Sequence, residues 1–423
     1  MDPVQDVLVL RDVLIPGGRV CDLTLADGKV THLGSSGSAD RICKCSDLMV
    51  LPAGVDMHVH MRDGSQAYKE DWESGTKSAL AGGVTVVVDQ PNTIPQITTP
   101  ELLADRVALA GEHSFCHFGI NAGVTPEADL TGMAKGGAMA FGETFAGPSS
   151  YGEALSRTDL HSALTRIEEL DGLATLHAEM VREGDDTSLP AHDRLRSISG
   201  ERAAVQMIME LAPPDLRLHF CHISAADTVS DIRSTGNATI EVTPHHLFLS
   251  LESFQSENSY GKVNPSLRTE KERKRLWGCW EQIDVVASDH APHTVSEKSS
   301  SFEKAPSGIP GVGTMIPLLM TEVIKGRISL ADVIYKTSVN PARILGILPA
   351  GYEPGMRADF ALYPKEGTPI HADEIFSKAG WTPYEGQIGV FPELVLMSGE
   401  VAFDNGTCIR TDPRWMQGRG YIP

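Results

Sequence analysis

Between residues 53 and about 350 the chain repeats one pattern: a short apolar run ending in polar residues, then a stretch with helical periodicity. The runs lie at 54–60, 84–90, 115–121, 138–143, 174–179, 216–224, 239–243 and 283–289. Short runs apolar on both faces suit buried parallel strands, which need a crossover between them. One crossover helix shows as Leu160, Leu164, Ile167 and Leu170 on a single face. Another spans Ala203 to Leu211, with Ser199 as its expected N-cap. Eight such units in about 300 residues predict an α/β fold, a (β/α)8 TIM-type barrel over 53–352. A doubly wound open sheet fits less well, because no G-x-G-x-x-G follows the first run.

The two ends have a different texture. Short β-rich runs separated by Gly17-Gly18 and Asp27-Gly28 fill residues 1–52, and similar runs with a hairpin fill 353–410. Together they predict one small β-sandwich domain formed by both chain ends, with 411–423 as a C-terminal extension. The run Glu270–Arg275 is charged throughout and reads as a solvated helix face.

Charge narrows the function. Lys and Arg number 36 against 56 Asp and Glu, a formal charge of −20. So acidic a surface repels phosphate backbones and anionic lipid, and argues against nucleic-acid or membrane partners. No apolar run reaches the roughly 18 residues of a membrane span. Met1–Asp6 carries acids where a signal peptide has Lys or Arg, so a cytoplasmic protein is expected. Seven scattered cysteines point to reduced thiols, and Cys43-x-Cys45 lacks the second pair a zinc knuckle needs.

Polar residues at the ends of the apolar runs carry the chemistry. His58 and His60 alternate on one strand and so face the same way. His177 and His222 end two later runs, and Asp289 ends the last, followed by His290 and His293. All fall at the carboxyl-terminal rim where such barrels keep their active sites. Four imidazoles and one carboxylate suit Zn²⁺, and less exclusively Mn²⁺, Fe²⁺ or Co²⁺. They exceed what one catalytic zinc uses and suggest two ions. Arg62 offers a fork for a carboxylate, and Asn92 and Asn264 offer amides, although Asn and Pro also form turns. Thr243–His246 and Gly308–Gly313 read as loops by composition.

These residues, in this order, resemble the dihydroorotases of the amidohydrolase superfamily. The matching stretches are Gly54-Val55-Asp56-Met57-His58-Val59-His60-Met61-Arg62, Gln90-Pro91-Asn92-Thr93, Val263-Asn264-Pro265-Ser266-Leu267-Arg268 and Ser288-Asp289-His290-Ala291-Pro292-His293, within a likeness covering about 1–410. The resemblance implies a zinc enzyme, with two ions per subunit, of de novo pyrimidine (UMP) biosynthesis. Its substrate would be small, L-dihydroorotate or N-carbamoyl-L-aspartate, interconverted by ring opening and closure. By motif position His58, His60 and Asp289 hold one ion, and His177 and His222 the other. Arg62, Asn92 and His293 hold the substrate carboxylate. Asn264, with Pro310 and Gly311, meets the ring. Asp289 shuttles the proton while activated hydroxide attacks the ring amide. Family habit points to a homodimer, and association with other pyrimidine enzymes is open.

One departure stands out. Relatives bridge the ions with a carboxylated lysine or an aspartate on the fourth strand, where this chain has Ala138 and Met139. Glu143, a few residues on, is the only anion at hand, and it is expected to bridge or cap the ions; the alternatives are a single-ion site or a Glu143 that only hydrogen-bonds nearby backbone. The competing functions are an allantoinase or hydantoinase, and a metal-free, non-catalytic dihydroorotase-like scaffold.

Overall fold

The computed structural model describes residues 7–35, 39–145, 155–236 and 238–422; Met1–Asp6, which carried the expectation about a leader, lie outside them. The first segment forms β1 (Leu8–Leu14), β2 (Val20–Ala26), β3 (Lys29–Gly34), β4 (Arg41–Lys44) and β5 (Met49–Pro52). Then come β6 (Gly54–Val59), β7 (Val84–Asp89), β8 (His117–Ile120), β9 (Phe141–Phe145), β10 (Leu173–His177), β11 (Arg217–Phe220), β12 (Thr239–Val242) and β13 (Val285–Val286). The last segment supplies β14 (Phe360–Tyr363), β15 (Thr368–Pro369), β16 (Ile388–Gly389), β17 (Leu394–Met397), β18 (Glu400–Asp404) and β19 (Thr407–Cys408).

Each of the eight apolar runs of the middle segment contains one of the strands β6 to β13 or overlaps it. All pair in parallel, in two sheets ordered β6-β7-β8 and β13-β12-β11-β10-β9. Parallel bridges between Ala122 and Phe141, and between Val59 and His290, join the sheets at both edges. The fourth strand begins at Phe141, three residues later than the run suggests. The residues just before it already pair with the end of β8: Met139 N–H donates to Ile120 O and Ala122 N–H to Ala140 O, while Gly418 sits against the Ala138 carbonyl where a Cβ would clash.

Crossover helices start on side-chain caps, which satisfy otherwise orphaned N–H groups. Asp71 caps Trp72–Ala81, Thr99 caps Pro100–His113, and Ser156 caps Arg157–Glu169 with Leu160, Leu164 and Ile167 buried. The helix expected to follow Ser199 instead spans Ile198–Leu211, and Ser197 is its cap, accepting from Gly200 N–H. Ser199 lies in the first turn and accepts from Arg182. The Thr243–His246 stretch is not a loop either. Thr243 caps a short helix, Pro244–Phe248, whose first residue is the proline that favours this position. Helix Glu270–Trp277 buries only Leu276, as its charge predicts.

The chain ends meet in two sheets, β3-β2-β1-β4 and β19-β18-β17-β14-β5. Leu10, Leu23 and Leu25 from the first share one apolar cluster with Phe360, Leu362 and Leu396 from the second. Each buried side chain of this size contributes about 1.5–3 kcal/mol. β5 runs through Ala53 directly into β6, so this cluster and the parallel strands are tied with almost no linker. The final segment returns to β8: Phe118 N–H donates to Arg414 O, and Met416 N–H to Phe118 O.

Candidate metal centre and substrate pocket

The carboxyl ends of the parallel strands converge on a narrow cleft lined by His60, Arg62, Asn92, Glu143, Phe145, His177, His222, Asn264, Asp289, Ala291, Ser307 and Gly308. The alternation of β6 points His58 and His60 the same way, with ring centroids 5.4 Å apart. His222 follows β11 by two residues, and Asp289 follows β13 by three. Both, like Arg62, have positive φ, a strained conformation for a side chain with a Cβ that the packed surroundings maintain.

Four imidazoles and two carboxylates meet here. Asp289 Oδ1 lies 3.1 Å from His60 Nε2 and 3.5 Å from His58 Nε2. Glu143 Oε1 accepts from His177 Nδ1 at 2.8 Å and His222 Nε2 at 2.5 Å, and its Oε2 lies 3.7 Å from His58 Nε2. The donor atoms of His58, His60 and Asp289 fall within 4.8 Å of one another, as do those of His58, Glu143 and His222. Among the described residues, His58 Nε2, which faces both Asp289 and Glu143, is buried without a hydrogen-bond partner. A buried lone pair without a partner is costly, and a divalent cation satisfies it. The donor set therefore fits metal, and the centre is a divalent-metal site.

Most of the rings are oriented from behind. His58 Nδ1 donates to Glu241 Oε1 at 3.0 Å, and the same oxygen accepts the His222 N–H at 2.9 Å. His60 Nδ1 donates to Asn92 Oδ1 at 2.8 Å, and His177 Nε2 lies 3.0 Å from Glu179 Oε2, which also takes the Arg196 guanidinium. Such outer partners fix ring tautomer and direction. Burial alone would lower His58, but the carboxylates of Glu241 and Asp289 hold it well above the usual histidine range. Burial likewise opposes the charge on Glu143 and Asp289, and the surrounding imidazoles outweigh it, holding both carboxyls below their usual range.

The substrate end is built on Arg62. Its carbonyl accepts from Arg106 Nη1 at 2.9 Å, and Arg106 pairs with Asp89, whose Oδ1 takes the Met61 N–H. His293 stands behind Arg62, with Nε2 3.4 Å from Arg62 Nη2 and 3.0 Å from Ser307 O. Asn264 Oδ1 is 3.0 Å from His192 Nε2. Pro310 and Gly311 are not in the lining; Ser307 and Gly308 occupy that wall, and Gly311 N–H donates to His290 Nδ1. The sequence reading missed Glu241, Glu179, Asp89, Arg106, Lys69 and Phe145. Asp89, Glu179 and Glu241 left a signal: each falls within an apolar run, where an acid must have a partner.

No protein-family profile matches the chain. Among solved structures, an L-hydantoinase from Arthrobacter aurescens has a TM-score of 0.89 at 24% identity, covering 95% of this chain and 97% of its own. A dihydropyrimidinase from Brevibacillus agri has a TM-score of 0.88 at 21% identity, covering 99% and 100%. These share the fold. A dihydroorotase of Methanosarcina acetivorans is 39% identical over 413 residues, spanning 90% of this chain and 88% of its own length. One of Halobacterium salinarum is 36% identical over 417 residues, spanning 96% and 99%. With that identity over nearly the whole of both sequences, the chain belongs to the dihydroorotase family.

Proposed function

We propose that the protein interconverts L-dihydroorotate and N-carbamoyl-L-aspartate, a metal-dependent cyclic amide hydrolysis and its reverse, in pyrimidine synthesis. The observation that carries this is the pairing of the His58/His60/His177/His222/Asp289 cluster with Arg62 in one cleft. An allantoinase has no need of a carboxylate fork beside its metal. A scaffold that had lost catalysis has no need of a complete set of buried donors.

His58, His60 and Asp289 would hold one ion and His177 and His222 the other, with Glu143 between them. Zinc suits this donor set. Bound there, divalent cations lower the pKa of water and polarise the scissile carbonyl. The chain's own residues do the rest. Asp289, held ionised by His58, His60 and His222, takes a proton from the attacking water and delivers it to the departing amide nitrogen. Arg62 binds the substrate carboxylate in a two-pronged contact, with His293 beside it. Asn264 holds the ring amide. Asn92 orients His60 through its oxygen, leaving its NH₂ for substrate. Fixing the carboxylate at one end of the cleft converts binding energy into alignment of the ring carbonyl with Asp289.

We read the parallel strands as one closed (β/α)8 barrel over 53–352. The bridges Ala122–Phe141 and Val59–His290 support closure. Residues 1–52 and 353–410 form a β-sandwich, a reading supported by their shared apolar cluster. Among the described residues no helix is long and apolar enough to cross a membrane, and a cytoplasmic homodimer fits the acidic, disulfide-free chain. The deciding experiment is a spectrophotometric assay of dihydroorotate ring opening, with elemental metal analysis of the same sample. Turnover with metal present is expected; hydrolysis of allantoin without action on dihydroorotate would overturn the reading.

A further inference from the structure

Behind the carboxylate end of the cleft lies a buried cation that the proposed reaction does not use. Lys69 is 8% exposed, and His293, beside it, is 1% exposed. Lys69 Nζ stands 3.3 Å from His293 Nδ1 and 2.8 Å from Glu297 Oε1. A neutral imidazole has one N–H, and which nitrogen carries it depends on the partners. An ammonium only donates, so Nδ1 must accept from Lys69. The Ser307 carbonyl only accepts, so Nε2, 3.0 Å away, must carry the hydrogen. The opposite tautomer would aim an N–H at the ammonium and a lone pair at the carbonyl, and would gain only the longer 3.4 Å contact from Arg62.

We propose that Lys69 is a positioning residue for carboxylate recognition: it locks His293 in the neutral Nε2–H form, its hydrogen on the Ser307 carbonyl, so that no Nε2 lone pair faces the carboxylate bound by Arg62. This rests on the reading that Arg62 and His293 bind the substrate carboxylate. Four charged groups face the ring: Arg62, Lys69, Glu297 and Lys298. Lys298, fully buried, donates to the carbonyls of Lys262, Pro306 and Gly308 and so holds the wall that includes Ser307. Burial, with the three cations, outweighs Glu297 and pushes His293 down to about 3, so the ring stays uncharged near neutrality. Without Lys69 the nearest group to Nδ1 from this side is the Glu297 carboxylate, at 3.8 Å. An acceptor there favours a hydrogen on Nδ1, which turns an Nε2 lone pair toward the substrate carboxylate.

The test compares the wild type with Lys69→Met and Lys69→Arg. Ring ¹⁵N shifts of His293, assigned with His293→Gln, report the tautomer without substrate. The wild type is expected to show a neutral Nε2–H ring from about pH 6 to 9, and Lys69→Met an Nδ1–H ring. With dihydroorotate, Lys69→Met is expected to raise KM by roughly tenfold with kcat nearly unchanged. Lys69→Arg, which keeps a charged donor, is expected to restore both the spectrum and KM. An unchanged tautomer in Lys69→Met, or a loss falling equally on kcat, overturns the proposal. If Lys69→Met does not fold, an Nδ1–H ring in the wild type overturns it, and an Nε2–H ring that Lys69→Arg keeps upholds it. A wild type inert toward dihydroorotate refutes the assigned reaction and leaves the tautomer result standing.

Discussion

Asp289 and Glu143 are both buried carboxylates held ionised by imidazoles, yet they differ in what each can do. Asp289 faces the cleft beside His60 and His58, where a proton can pass to and from a substrate. Asp289→Asn keeps the shape and removes the base. The kcat for dihydroorotate ring opening should fall by about 10²–10⁴, with the circular dichroism spectrum unchanged. Glu143 reaches His177 and His222 with one oxygen and faces His58 with the other. Its loss should lower bound metal in Glu143→Ala to one ion per chain or fewer, read by elemental analysis. Two ions retained in that variant would discard the bridge. His58, His60, His177, His222 and Asp289 were all legible as candidates because each ends an apolar run. Glu241 and Lys69 were not, because their roles lie in which ring nitrogen they face, and that depends on contacts across roughly 180 and 220 positions of chain.

At the scale of elements, periodicity foretold the strands far better than their edges. Each apolar run holds a strand because burial on both faces demands it, whereas ends depend on which side chain wins a backbone N–H. Helix Ile198–Leu211 is the instructive case. Ser197 and Ser199 are chemically equal, and the expected cap was the wrong one. Ser197→Ala should destabilise the protein by about 1 kcal/mol, and Ser199→Ala by at most a few tenths, measured as shifts of the urea midpoint. Equal losses would mean that the helix starts elsewhere. The fourth strand errs for a similar reason: the three apolar residues before Phe141 are held at the end of β8 and against the C-terminal segment, outside the regular strand.

Across the whole molecule, the parallel strands, the terminal sheets and the C-terminal segment meet at His117 on β8. Its Nδ1 accepts the Arg414 N–H at 2.9 Å, and its Nε2 lies 3.3 Å from Ser398 Oγ in the β17–β18 turn. Burial, with Arg357 and Arg414, outweighs Asp359 and lowers its pKa to about 4. The unfolded chain binds this proton near pH 6.5 and the native one only near 4, so the unfolded state holds more protons between those values. Stability should therefore fall as pH drops through that window, by on the order of 3 kcal/mol from this residue. Urea midpoints measured from about pH 7 to 4 should decline, and decline less in His117→Gln. A variant as acid-sensitive as the wild type would assign the effect elsewhere. By itself the sequence determined the alternation of strand and helix, the β-rich ends and the polar residues that end the runs. These are local consequences of side-chain polarity and period, and they survive without knowledge of neighbours. Only the tertiary structure decided that Glu143 reaches His177 and His222, that Ser307 and Gly308 rather than Pro310 and Gly311 line the cleft, and which carboxylate stands behind which ring. Those outcomes depend on register, caps and close approach between segments far apart in the chain, where tenths of an ångström choose the partner.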